Sequence, residues 1–140
     1  MQRLRLVILE HIRRGDRHRD LLIESPGTDH DRALLWAART SAAWPPPDRP
    51  TRGLLLPLPP HRRVYLMRQG DIGRGRGRVV CLDAGEAAPH LWRRSCIDLR
   101  VATPRWRGRL RARRQGDRWL VCTRGAGDGT NDRTFKCEIP

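Results

Sequence analysis

The sequence predicts an all-β protein, mainly antiparallel, folded as a small closed or partly open β-barrel with short helical or irregular connections. Three observations carry that expectation. Short apolar runs recur at close intervals; several alternate polar and apolar residues, most clearly RGRLRAR; and glycine, proline and aspartate clusters such as SPGTDHD and RRQGDR stand between them. No run keeps a helical period beyond about 12 residues. Many short strands separated by turn residues are the mark of a sheet that closes on itself.

The expected strands follow in chain order. LRLVILE (4–10) and HRDLLIE (18–24) are β-branched and leucine-rich, and RALLWAAR (32–39) carries a tryptophan suited to a barrel core. Residues 40–53, TSAAWPPPDRPTRG, hold four of the eleven prolines. Proline cannot donate to a sheet ladder, so this stretch reads as a loop at one end of the barrel. RVYLMR (63–68) reads as the fourth strand, and RVVCLD (78–83) follows a glycine-rich turn. IDLRVA (97–102), WRGRLRAR (106–113) and RWLVCT (118–123) complete the set. The barrel domain is expected over residues 1–124, and the polar, glycine-rich 125–140 is expected to be a fraying tail.

One domain fits 140 residues, long enough to bury a core without metal or disulfides for stability, so any metal would serve chemistry. Twenty-nine Lys+Arg against fifteen Asp+Glu give +14 at pH 7. Polyanions are the natural partners, nucleic acid ahead of an acidic membrane surface, and a small metabolite does not call for so extended a basic surface. All but Lys136 of these cations are arginine, whose planar fork suits phosphate; an arginine-rich codon preference accounts for the same bias. Cys81, Cys96, Cys122 and Cys137 show no Cys-x-x-Cys spacing, which argues against structural zinc. There is no signal-peptide pattern and no membrane-length apolar stretch, so a soluble cytoplasmic protein with reduced thiols is expected.

Five histidines are the main carriers of chemistry. In extended geometry His18 and Asp20 share a face, as do His61, Arg63 and Tyr65. Strand ends meeting at one rim would gather His11, Asp20 and His61, with His18 and Tyr65 nearby. Two imidazoles and a carboxylate with positions left open suit a divalent transition metal. The competing reading is a set of ordinary surface histidines on charged strand edges.

The order of motifs adds specificity. VILEH, then HRDLLIE, LLWAAR, the proline loop, HRRVY, GDIGRGRGRVVCLDAG, and WRGRLRAR before WLV together resemble the phosphoesterase domain at the N-terminus of bacterial DNA ligase D, over about residues 4–124. The resemblance implies a small β-barrel that uses a divalent metal, typically manganese, with zinc, cobalt or another transition metal as alternatives. It implies removal of a terminal ribonucleoside and then a 3'-phosphate from DNA 3' ends, on primer-template or nicked duplex, in repair alongside end-joining proteins. By motif correspondence it places metal ligands on His11, Asp20 and His61, and catalytic contacts to the phosphate on His18 and Tyr65. The family arginine two residues after the motif aspartate is replaced by Leu22, and one extra residue separates His11 from His18. Arg39, Arg52 or Arg63 would have to replace the missing fork. A catalytically decayed nucleic-acid-binding barrel is therefore the rival expectation.

GRGRGR (73–78) reads in two ways. Either Arg74, Arg76 and Arg78 contact a phosphodiester backbone from a flexible loop, or a glycine turn feeds a strand whose outward positions happen to be arginine. It lacks the Gly-Lys-Ser/Thr ending of a nucleotide-binding P-loop. Of the five tryptophans, Trp44 in the proline loop is the one expected to stack on an unpaired base, and the others belong to the core. His30 and His90 are given no role.

Overall fold

The computed structural model describes residues 2–27 and 33–128. It contains nine strands: β1 (Leu4–Arg13), β2 (Asp16–Ile23), β3 (Trp36–Thr40), β4 (Thr51–Pro57), β5 (Gly70–Asp71), β6 (Arg78–Arg93), β7 (Cys96–Ala102), β8 (Arg107–Gln115) and β9 (Arg118–Gly125). Two short 3-10 helices, Arg63–Leu66 and Ala126–Asp128, complete the described elements. All strand pairs are antiparallel, in the order β1-β2-β3-β4-β9-β8-β7-β6, and β1 pairs with β6 to close the ring. The two-residue β5 stands outside it as a flap on β6. The expected all-β barrel is present, and it is closed.

Alternation along β1 explains the architecture. Leu4, Leu6 and Ile8 point into the barrel and join Leu21, Ile23, Ala38, Leu55, Ile97, Leu99, Val101, Leu110, Ala112 and Trp119 in the core. Val7 and Leu9 point outward, yet they too are buried, in a second cluster with Leu22, Leu35, Ala37 and Val79. The 3-10 helix covers this outer cluster with Leu66, and the segment after β5 adds Ile72. Strands buried on both faces read as continuous apolar runs, which is why LVIL does not alternate.

Several expectations need correction. RVYLMR is not a strand: Tyr65 N–H donates to the Arg62 carbonyl and Met67 N–H to that of Val64, the i to i+3 bonds of a 3-10 turn. The strand after the proline loop is instead TRGLLLP, Thr51–Pro57, which includes the last residues assigned to that loop. Trp44 is not free to stack on a base. Its Nε1 donates to Asp83 Oδ2 at 2.9 Å, and its ring meets Trp106 edge-on at 5.4 Å, anchoring the loop to the barrel. Cys122 is disulfide-bonded, so the thiols are not all reduced. The tail begins as the second 3-10 helix; 129–140 and His30 lie outside the described residues. No described helix is long and apolar enough to cross a membrane.

Candidate metal centre

The outward face of β1 and β2 changes character along its length. Val7 lies opposite Leu22, Leu9 opposite Asp20, and His11 opposite His18. The face therefore passes from apolar to polar toward the hairpin that joins the two strands, and the polar end lies where the outer cluster stops. His11, His18 and Asp20 each bring one ligand atom within 4.8 Å of the others. Asp20 is buried at 5% exposure, and both imidazoles are half-buried.

Hydrogen bonds orient the set. Asp20 Oδ1 accepts from His18 Nδ1 at 3.1 Å and from Arg39 Nε at 3.0 Å. An ionised carboxylate can only accept, so this bond puts the His18 proton on Nδ1 and leaves Nε2 with its lone pair. The His18 ring meets that of His11 edge-on at 4.7 Å. Burial lowers the His18 pKa from its ordinary value, and the Arg39 and His11 charges push the same way, against the Asp20 carboxylate, which raises it. The imidazole is therefore neutral at pH 7, the form that binds a metal. His11 Nε2 lies 2.5 Å from the Arg76 carbonyl.

That carbonyl comes from the glycine-rich hairpin between β5 and β6, which folds tightly rather than waving free. Arg76 N–H donates to Gly73, and the Arg76 side chain bonds the carbonyls of Gly73 and Ile72. Gly77, at φ +89°, lies so close to β1 that a Cβ there would be 2.2 Å from the Ile12 carbonyl oxygen. Only glycine lets the hairpin lie down on β1 and present Arg76 to His11.

The other expected site residues fall elsewhere. His61 is not in the cluster: its backbone bridges Leu35, its Nδ1 lies 2.8 Å from the Pro59 carbonyl, and its ring meets Tyr65 at 5.4 Å. Leu35 precedes Arg39, the cross-strand partner of Asp20, by four residues, about 13 Å of strand. The shared-face argument for His61, Arg63 and Tyr65 fails because the chain there is a 3-10 helix. Arg63 is tied to buried Glu24 at 2.5 Å. Arg52 is exposed on β4, four residues from Leu56, which pairs with Arg39, and in the direction away from His61. Arg74 is exposed at the hairpin tip with φ +54°. Leu22 is 0% exposed in the outer cluster, so apolar cover lies where the resemblance would put an arginine.

Among the arginines expected to contact phosphate, Arg39 thus reaches the cluster through Asp20, and His18 stands beside His11 and Asp20 where His61 was expected. Two imidazoles and a carboxylate within one small volume, with no lysine or arginine in the ligand set, fit a divalent transition metal. Arg39 was legible as a cationic neighbour of Asp20 only once the β2–β3 register was known. No protein-family model matches the chain, and no curated protein matches it.

Proposed function

We propose that the protein is a divalent-metal-dependent phosphoesterase that trims DNA 3' ends, removing a terminal 3'-phosphate or ribonucleoside, with manganese as the favoured metal. The convergence of His11, His18 and Asp20 within 4.8 Å carries this reading. When bound, a divalent ion supplies Lewis-acid polarisation of a phosphoryl oxygen. His11 and His18 offer imidazole nitrogens and Asp20 a carboxylate oxygen. Arg39 donates to Asp20 from Nε, so its terminal nitrogens, on a side chain 33% exposed, are left to hold a phosphate oxygen. Arg74, exposed on the same hairpin whose Arg76 carbonyl meets His11, suits the adjoining phosphodiester backbone. The Arg76 carbonyl must release His11 Nε2 if that nitrogen is to serve as a ligand. Such a role would be exercised in the cytoplasm, where the chromosome lies.

A second reading is a nucleic-acid-binding barrel without catalysis. Leu22 favours it, since its burial removes any arginine from that position. One assay separates the two. Purified protein is incubated with manganese and a primer-template ending in a 3'-phosphate or a single ribonucleotide, beside His11→Ala and Asp20→Asn variants. The proposal expects trimming by the parent and loss of at least about 100-fold in both variants. DNA binding with no trimming at any metal tested leaves the second reading, and trimming that survives both substitutions discards this site.

A further inference from the structure

The barrel carries a second basic surface that the histidine cluster does not use. Along β8, Leu110 and Ala112 face the core, so Arg107, Arg109, Arg111 and Arg113 all face outward. Alternate residues on a strand are about 6.7 Å apart, which makes a straight row of four guanidinium groups about 20 Å long. Arg107 and Arg113, at its two ends, are exposed, and Arg111 is half-exposed. Arg100 on β7 and Arg124 on β9 lie across from Arg109 in the same rung. The outward positions of β7 and β8 hold one carboxylate, Asp98, which forks onto Arg109 with two contacts of 2.9 Å. Near the Arg107 end the surface sinks into a depression of about 500 Å³ walled by Arg3, Arg100, Arg107, Arg109 and Arg124, with Glu86 paired to Arg3 at 3.2 Å.

In the ring order, β8 is four strands from β2 in either direction, so this row is diametrically opposite Asp20. We infer that the outward face of β8 is a second nucleic-acid-binding surface, which grips a phosphodiester backbone without reading sequence. A charged row this linear and rich in forked donors complements a line of phosphates. A barrel separates the two surfaces. A molecule holding a 3' end at the histidine cluster therefore presents the β8 row to another DNA segment. The binding surface stands whether or not the protein trims ends; only the bridging consequence rests on that reading.

The test is fluorescence anisotropy of a labelled blunt duplex lacking 3'-phosphate, in EDTA, across a salt series. The combined Arg107→Gln, Arg111→Gln and Arg113→Gln variant should bind at least about tenfold more weakly at 50 mM salt. Its log–log salt slope should be shallower by about 2.7, at about 0.9 for each phosphate contact removed. The corresponding triple lysine variant should recover most of the affinity, which controls for folding. Equal affinity and slope in the parent and the glutamine variant would overturn the inference.

Discussion

At the scale of single residues, Leu22 changes meaning between sequence and structure. As a strand position two beyond Asp20 it looks like a vacancy for arginine. In the fold it is wholly buried against Leu35, Leu66 and Ile72, and nothing in HRDLLIE reveals that a later 3-10 helix will cover its outward face. Leu22→Arg should therefore not rescue or raise activity. Placing an unpaired charge beneath that cover costs at least about 2 kcal/mol, and the thermal midpoint should fall by about 5 °C or more. An unchanged midpoint with faster end trimming would show that the cover is absent in solution.

His18 supports a pH prediction. Its pKa is lowered in the folded chain, chiefly by burial, so below the ordinary value of 6.5 the unfolded chain takes up a proton that the folded chain resists. Its contribution to stability is present above pH 6.5 and is lost as pH falls through the interval down to the folded pKa. Denaturant melts in EDTA at pH 7.5 and 5.5 should show the parent losing stability relative to His18→Gln at the lower pH. A difference that stays constant, or that grows in favour of the parent on acidification, would place the His18 pKa at or above its ordinary value.

Among the elements, those with one solvated face were the easiest to read. RGRLRAR alternates because β8 has the core on one side and water on the other, and its strand was expected at nearly its observed bounds. Two elements were misread for definite reasons. TRGLLLP borders a proline cluster, but its prolines lie at or beyond the strand ends, where a missing donor costs nothing. In RVYLMR the four apolar residues Val64, Tyr65, Leu66 and Met67 are consecutive, a run that shows no period and so does not separate a short strand from one turn of 3-10 helix. The hairpin before β6 was legible as a turn; its contact with His11 was not, because that contact depends on the β1–β6 register. Gly77→Ala tests that contact. The new methyl would meet the Ile12 carbonyl, so the hairpin should lift from β1, the thermal midpoint should drop by several degrees, and the His11 ring resonances should shift. Unmoved His11 resonances would show that the hairpin does not hold that ring.

For the whole molecule, composition was the most informative feature of the sequence. A net charge of +14 does not specify a fold, but it directs the functional expectation toward polyanions. The arginine row on β8 lies opposite the side that carries His11, His18, Asp20 and Glu24. Motif order named His11 and Asp20 as ligands and His18 as a phosphate contact, and the fold brings these three residues together. Motif order misplaced His61, because a strand was assumed where the chain turns. The central claim is that His11, His18 and Asp20 together hold one divalent ion. Its most direct measurement is a manganese titration of the parent, followed by loss of the free-ion electron paramagnetic resonance signal, beside His11→Ala, His18→Ala and Asp20→Asn. The account predicts one ion per chain in the parent and a loss of affinity of at least about tenfold in each variant; no binding by the parent, or binding unchanged by all three substitutions, would contradict it.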